Sequence, residues 1–420
     1  MKKIKKALLS ICGLSIALMM STPDAEAHTK GISLSRYGLV DVSWTGNVNY
    51  AYFSDYENGF NALKLGDRNF AGLNVTSFDL SLSQDAYLFP MKWALFTTWS
   101  PSSVSVEESF FLFHKLPAQL QLKTGIFRTS FGKINQYHDH EWPFADPPLV
   151  TTHFLGVDGV HTVGAELNWQ PPTPFFTELS LSAMQNPVGF LDRTFPGKFD
   201  IVQGGLDFRH FTMYGRGTTF FDVTEDSNVE IGVSGAVGQN KPNGINEKEV
   251  SNPMKISFNN NDSTILGGID LTYVYKPKPF DPYVRWTTEF MVANRTNPIV
   301  YSLDRTKRGL DVKLADQTVK TLMPSDIVGG VYSELNYRFL HDWDVSGRFD
   351  YFGLPKGNED SQMRLTGGVR YFFNAVSRVN LQYEYTFASG NDNPYHTVFL
   401  QVNIGGGTVT PGVGKFYNLF

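Results

Sequence analysis

The segment Val379-Asn380-Leu381-Gln382-Tyr383-Glu384-Tyr385-Thr386-Phe387 alternates apolar or aromatic side chains with polar ones at every position. Successive side chains of a β-strand point to opposite faces, so this segment would form a strand with one apolar and one polar face. The segment 120–126 repeats the pattern, with Leu120, Leu122, Thr124 and Ile126 on one face and Gln121 and Lys123 on the other. Similar ladders occupy 91–99, 163–169, 265–275, 331–339, 343–351 and 363–373. The sequence therefore predicts an all-β fold.

The length of these ladders distinguishes a membrane barrel from a soluble β-sandwich. Many are roughly 10–13 residues long, whereas strands of soluble proteins usually have about 5–6. A tilted strand needs about 9–11 residues to cross a bilayer, and only a closed barrel leaves no unpaired edge in lipid. Tryptophans on the apolar faces, such as Trp99, Trp169 and Trp286, suit interfacial girdles, although a soluble sheet could use them in cross-strand packing. We therefore predict a transmembrane antiparallel β-barrel.

The connections between the ladders indicate how many strands there are. Sixteen candidate strands begin near 41, 73, 91, 104, 118, 160, 175, 203, 229, 264, 281, 328, 343, 362, 378 and 395. Links after even-numbered strands are short, whereas four links after odd-numbered strands are long, at 57–72, 129–159, 240–262 and 296–327. Short periplasmic turns and long extracellular loops are typical of outer-membrane barrels, and about 16 strands leave room for an aqueous channel. The glycine-rich segment 199–222 could hold one strand or two.

The N-terminus has the three parts of a secretory signal peptide. Four lysines within residues 2–6 precede the apolar stretch 7–20, and Ala25-Glu26-Ala27 offers a cleavage site. We predict a signal peptide at 1–27 and one outer-membrane barrel domain at 28–420. The only cysteine, Cys12, lies in this signal, so neither a disulfide nor a thiolate metal site is expected. The formal net charge of −5 argues against a nucleic-acid partner.

The polar faces of the strands would point into the barrel. The side chains that we predict to line a pore are Lys123, Arg285, Arg338, Arg348, Asp350, Arg364, Arg370 and Glu384. Four of them, Arg338, Arg348, Arg364 and Arg370, lie on neighbouring strands and could form a basic stripe that favours an anion such as phosphate. In the alternative interpretation, these arginines pair with Glu334 and Asp350 and stiffen the wall.

The segment 129–159 is far longer than an ordinary hairpin loop of about 2–5 residues. It is rich in aromatic residues and proline, which favours a rigid loop packed against the barrel interior. It also contains four candidate zinc ligands, His138, His140, Glu141 and Asp146, because imidazole and carboxylate groups suit that ion. Packing and metal binding remain two alternatives for this loop. No other cofactor is expected.

Motifs of known enzymes are missing from the sequence. It contains no Gly-x-Ser-x-Gly elbow, no His-Glu-x-x-His, no phosphate-binding P-loop and no dinucleotide fingerprint. We therefore expect no enzymatic activity.

Several short motifs resemble the phosphate-selective porin O and P family. They are GIDLTY at 268–273, YVRW at 283–286, LNYRF at 335–339, GRFDY at 347–351 and RVNLQYEY at 378–385. The segment HDHEWPFADPP at 138–148 resembles a loop of proteins described as zinc-regulated outer-membrane receptors. The resemblance implies a porin-like channel for passive diffusion of small hydrophilic solutes or ions, with a ligand- or zinc-linked receptor as the alternative. Outer-membrane lipid and the barrel-assembly machinery are the implied partners, and a homo-trimer is expected by analogy of fold.

Overall fold

A computed structural model describes residues 32–33, 39–54, 71–85, 90–101, 103–156, 158–185, 211–239, 254–257, 263–277, 282–295, 300–303, 326–355, 361–374, 376–389 and 394–407. Sixteen long strands pair antiparallel in chain order, and the last strand pairs with the first, with Gln401 opposite Asn49. This closes a single barrel, so the predicted all-β fold with about 16 transmembrane strands is confirmed. The predicted signal peptide at 1–27 lies outside the described residues.

The barrel strands are numbered β1 to β16 along the chain. The first eight are β1 Leu39–Phe53, β2 Gly72–Asp85, β3 Met91–Trp99, β4 Val104–Leu116, β5 Leu120–Arg128, β6 His161–Trp169, β7 Phe176–Gln185 and β8 Phe211–Thr224. The others are β9 Ser227–Gln239, β10 Ser263–Tyr275, β11 Tyr283–Arg295, β12 Asp326–Leu340, β13 Trp343–Leu354, β14 Gln362–Asn374, β15 Ser377–Ala388 and β16 Tyr395–Gly407. The described part of the eighth strand begins at Phe211, and the predicted start near 203 lies outside the described residues.

Smaller elements complete the described chain. Among the described residues, one α-helix, α1, spans Leu149–Leu155, and 3-10 turns occur at Pro117–Gln119, Ile134–Gln136 and Asp139–Glu141. Met254–Ser257 pairs with Val300–Leu303 in a separate two-stranded sheet, and Ile32–Ser33 pairs with the start of β1. No helix in the described ranges is both long and apolar enough to cross a membrane.

The strands expose their apolar faces and bury their polar faces, which is the reverse of a soluble barrel. On β15, Leu381 is 53% exposed whereas the next residue, Gln382, is 0% exposed. Exposed aromatic residues lie at both strand ends: Trp169, Tyr275 and Trp343 beside short turns, and Tyr52 and Trp99 at the opposite end. An apolar exterior band between aromatic girdles is the surface that a bilayer requires.

The segment between β5 and β6 folds into the barrel. Every residue from 129 to 156 is buried or half-buried, although this is the longest connection that the structure describes. Its aromatic side chains, including Phe131, Trp142 and Phe154, join inward-facing residues such as Tyr332 and Phe352 in one apolar cluster. The core of this protein is therefore a loop packed against the inner wall.

Candidate functional site

The base of the inward loop, residues 129–160, is closed by Asn135. Its side-chain Nδ2 donates to the Thr129 carbonyl at 2.9 Å, and its Oδ1 accepts from the Val160 backbone N–H at 2.6 Å. Gly159 has a φ of +69°, which favours glycine, and a side chain there would collide with Asn135 Oδ1. The two ends of the loop therefore leave the wall together, and the loop folds as a unit.

His138 ties the loop to β4 through two carboxylates. Its Nδ1 lies 2.8 Å from Glu107 Oε2 and its Nε2 lies 2.8 Å from Glu108 Oε1. Phe96 pairs with Glu108 and Thr97 with Val106, so Glu107 is the extra residue of a β-bulge. A bulge re-aims side chains, and here it lets two consecutive acids face inward. Burial lowers the pKa of His138, but Glu107 and Glu108 outweigh burial and raise it to about 9, so His138 is an imidazolium at neutral pH.

A second attachment joins the start of the loop to β9 and β11. Lys133 Nζ lies 2.6 Å from Glu230 Oε2, and the Lys133 backbone N–H donates to Glu289 Oε1 at 2.9 Å. Gly132 adds a hydrogen bond from its N–H to Ser234 Oγ at 3.0 Å. Burial lowers the pKa of Lys133, while the adjacent Glu230 carboxylate opposes this effect.

The most buried attachment centres on Asp146. Its side chain is 0% exposed; it lies 3.1 Å from Arg348 Nη2 and also forms an ion pair with Arg364. Gln382 Nε2 donates to the second carboxylate oxygen at 2.6 Å, and Arg364 Nη2 donates to the Pro147 carbonyl at 2.6 Å. Burial acts to raise the pKa of Asp146, but Arg364 and Arg348 hold it below its ordinary value. The loop thus supplies a carboxylate to two arginines of the β13–β14 wall.

The rest of the loop is held by backbone acceptors and by α1. Arg378 Nη2 donates to the carbonyls of His140 and Trp142 at 2.8 and 2.6 Å. The Leu149 N–H at the start of α1 donates to Asp350 Oδ1 at 3.0 Å, and the His153 ring stacks on Phe352 at 3.9 Å between centroids. The loop therefore contacts the wall around much of the barrel.

The eight predicted lumen residues fall into two groups. Arg348, Asp350, Arg364 and Glu384 meet around Asp146. The remaining four are held elsewhere: Arg285 beside Glu334 at 3.2 Å, Arg338 and Arg370 beside Asp344 at 3.9 and 2.7 Å, and Lys123 over the rings of Phe110 and Phe127. These pairs agree with the interpretation in which the arginines stiffen the wall. Their role in lining a pore stays a prediction.

The four predicted zinc ligands do not meet in one place. His138 binds Glu107 and Glu108, whereas Asp146 binds Arg348, Arg364 and Gln382. Glu141 accepts the His138 backbone N–H at 2.9 Å and so closes its own 3-10 turn. Among the described residues, His140 is the one of the four that belongs to a cluster of three possible metal ligands, with Asp79 and Asp139. Closeness in sequence did not bring these side chains to one ion.

Several residues of this site were missed by sequence reasoning. Glu107 and Glu108 lie where the exposed apolar side chains of β4 move from even-numbered positions, such as Val106, to odd-numbered positions, such as Phe111. Such a slip in alternation is the sequence signal of a bulge, but the run of apolar residues after it hides the slip. Asp344 and Gln382 gave no signal beyond their place on a polar face.

A cavity of about 520 Å³ lies between the loop and the short turns. It is lined by loop residues such as Tyr137 and Trp142 and by the turn residues His341 and Asp342. Its described lining has six basic side chains, Lys133, Lys276, Arg285, Arg338, Arg370 and Arg378, against three carboxylates, Glu141, Glu334 and Asp342. Two further carboxylates, Glu230 and Asp344, pair with Lys133, Arg338 and Arg370 of this lining.

Comparison of the sequence with known proteins finds one relative and no family. No protein-family model matches the sequence. An uncharacterized protein of Aquifex aeolicus (strain VF5) is 27% identical over 286 residues, which cover 67% of this chain and 54% of that protein. The chain thus spans about half the length of the curated relative that it matches.

Two solved structures share the architecture. The outer membrane channel DcaP of Acinetobacter baumannii superimposes with a TM-score of 0.53 and 10% identity, over 90% of this chain and 100% of that one. The trimer form of OmpT, an outer membrane protein of Vibrio cholerae, gives a TM-score of 0.51 and 10% identity, over 87% and 99%. The apolar exterior and these likenesses show that the chain has the fold of outer-membrane porins, which points to the bacterial outer membrane as its location.

Proposed function

We propose that the protein is a porin-like channel through which small hydrophilic solutes and ions diffuse passively, and that it is not an enzyme. The observation that carries the proposal is the inward loop. It narrows the barrel interior while leaving a cavity of about 520 Å³ whose lining combines aromatic side chains with six basic side chains and three carboxylates. A barrel of sixteen strands is wide enough to hold both such a loop and water.

The excess of basic side chains around this cavity supports a preference for anions. Arg338 is the clearest contributor, because its side chain is 27% exposed and its partner Asp344 is 3.9 Å away. The buried Arg348 and Arg364 are neutralised by Asp146 and Asp350 and contribute less to the field in the cavity. A small inorganic anion such as phosphate is the proposed solute class.

The reversal potential in a potassium chloride gradient tests this proposal. With the purified protein in planar bilayers, we expect ohmic steps and a reversal potential displaced toward that of chloride. A reversal potential at that of potassium would contradict the anion preference. Swelling of proteoliposomes in an uncharged sugar would separately report an open, unselective path.

A ligand- or zinc-linked receptor is the second candidate. It is favoured by the extent to which the loop fills the barrel, since a receptor need not conduct when empty. Silent bilayers containing correctly assembled protein would support the receptor over the channel.

Export, membrane insertion and assembly are part of the proposal. We infer that residues 1–27 direct export, that the barrel-assembly machinery inserts the chain, and that outer-membrane lipid covers its apolar exterior. The trimer form of the OmpT structure makes a homo-trimer a reasonable arrangement to test by cross-linking in outer membranes.

A further inference from the structure

Three ligand groups converge where the inward loop meets β2. Asp79 is on the inner face of β2, while Asp139 and His140 belong to the 3-10 turn Asp139–Glu141. One oxygen from each aspartate and one His140 nitrogen lie within 4.8 Å of one another. His140 Nδ1 is 3.5 Å from Asp79 Oδ2 and 3.6 Å from Asp139 Oδ1.

These distances are too long for direct hydrogen bonds, which usually join nitrogen and oxygen at about 2.7–3.2 Å. They match the edges of a tetrahedral zinc site, because bonds of about 2.1 Å give ligand–ligand separations of about 3.4 Å. The His140 side chain is only 8% exposed, yet neither of its ring nitrogens has a hydrogen-bond partner among the described residues. The buried His140 Nδ1 thus lies within ion-pair range of two carboxylates but beyond hydrogen-bonding distance of either, at the spacing that an intervening cation would require.

Supporting hydrogen bonds hold the carboxylate on β2 in this orientation. Thr98 Oγ1 donates to Asp79 Oδ1 at 2.7 Å, and Ser77 Oγ donates to Asp79 Oδ2 at 3.1 Å. Asp79 Oδ2 keeps a second lone pair that can bind a metal ion. Thr98 Oγ1 also lies 2.7 Å from Glu107 Oε1, but it has one proton and cannot donate to both acids. Glu107 is already paired with His138 and Arg128, so Asp79 and Asp139 are the carboxylates whose charge a cation at this position would offset.

The histidine is also fixed from the opposite side. Arg378 holds the His140 carbonyl at 2.8 Å, and the His138 ring stacks on the His140 ring at 5.5 Å between centroids. Metal-binding groups are effective when their orientation is set before the ion arrives. His140 also lines the 520 Å³ cavity, so an ion can reach the site from the side of the short turns.

We propose that Asp79, Asp139 and His140 bind a divalent transition-metal ion such as Zn²⁺, with water as the fourth ligand. Imidazole nitrogen together with carboxylate oxygen suits Zn²⁺ among the common cations, and three protein ligands with one open position are a usual arrangement. The site shares only His140 with the set that the sequence suggested. The bound ion would link the Asp139–Glu141 turn to β2, whose ligand Asp79 lies 60 residues before Asp139 in the chain.

The test uses the full-length protein refolded in detergent, stripped with a chelator and titrated with zinc chloride alone. We expect one tightly bound Zn²⁺ per chain, and loss of that binding in Asp79→Asn and in His140→Ala. His341→Ala is the matched control, since this histidine is exposed in a short turn. Thr98→Val should weaken binding about 10–100-fold, as removal of a supporting hydrogen bond does, and Thr98→Ser should restore it.

X-ray absorption on the wild-type protein keeps the proposal testable even if a variant fails to fold. The spectrum should show one imidazole nitrogen and otherwise oxygen ligands at about 2.0–2.2 Å. A spectrum without imidazole, no zinc retained by the wild type, or equal retention by folded His140→Ala would each overturn the proposal. Loss of zinc only in His341→Ala would assign the ion to the surface and would also overturn it.

Discussion

Replacing Asp146 with asparagine should release the central part of the loop from the wall. The substitution keeps the size of the side chain but removes its charge from between Arg348 and Arg364, whose side chains are almost fully buried. Gln382 can still contact the new amide. The attachments of Lys133 to Glu230 and of His138 to Glu107 are far along the loop and should persist.

The size of the effect follows from this burial. Removing one partner of a buried ion pair costs about 3–5 kcal/mol, because the remaining charge is left without compensation. Asp350 continues to face both arginines at 2.8 and 3.4 Å, which favours the lower end of that range. About 3 kcal/mol reduces the equilibrium constant for loop docking by roughly 10²-fold. The aromatic contacts remain, so we expect the loop to open intermittently rather than permanently.

Single-channel recording is the appropriate assay. Asp146→Asn should show steps to a second, larger conductance level that the wild type visits rarely. Asp226→Asn, which removes an exposed carboxylate in the short turn between β8 and β9, is the matched control and should behave as the wild type. A single conductance level in Asp146→Asn, identical to that of the wild type, would refute the view that this carboxylate holds the loop in the pore.

Three further predictions concern the exterior, the pH dependence and the cavity. Leu381→Arg puts a charge on the lipid-facing side of β15, at a cost of about 2–4 kcal/mol, and should impair assembly. Thr287→Arg, which places the charge in the cavity, should assemble normally. Heat-modifiable migration in gels measures assembly of both variants. Arg364 and Arg348 lower the pKa of Asp146 more than burial raises it, and Gln382 and Glu384 also face this carboxylate. The ion pairs of Asp146 therefore stabilise the docked loop above the ordinary aspartate pKa of about 3.9, and this stabilisation is lost as the pH falls through the lowered pKa. Conductance should then be constant from about pH 8 to about pH 5 and rise only in stronger acid, and a rise near neutrality would contradict this assignment. Arg338→Gln should shift the reversal potential toward that of potassium, whereas Lys115→Gln, at an exposed position, should not. The same reversal potential in Arg338→Gln and in the wild type would show that Arg338 does not line the conducting path.

The barrel could be predicted from the sequence because alternation is a local property. The ladder from Val379 to Phe387 sets the exposed face of its strand without reference to any other part of the chain. The segment 199–222 was harder to interpret, because its glycines weaken the alternation on which the prediction depends. The length of the loop at 129–159 also indicated an inward fold before its partners were known.

The partners of that loop could not be predicted, because barrel closure brings together residues far apart in sequence. Asp146 and Arg348 are 202 positions apart, and no pattern around either residue identifies the other. His138 and His140 were grouped because they are close in sequence. The 3-10 turn instead directs one ring to Glu107 and Glu108 and the other to Asp79 and Asp139. Such assignments require the three-dimensional register of the strands.

The central claim is that the barrel conducts and that its inward loop narrows the path. Recording the single-channel conductance of the wild type beside a variant lacking residues 135–150 tests both parts directly, once heat-modifiable migration has shown that each is assembled. We predict ohmic steps for the wild type and larger ohmic steps for the deletion variant. Equal steps from the two proteins, or a wild type that never conducts, would contradict the account.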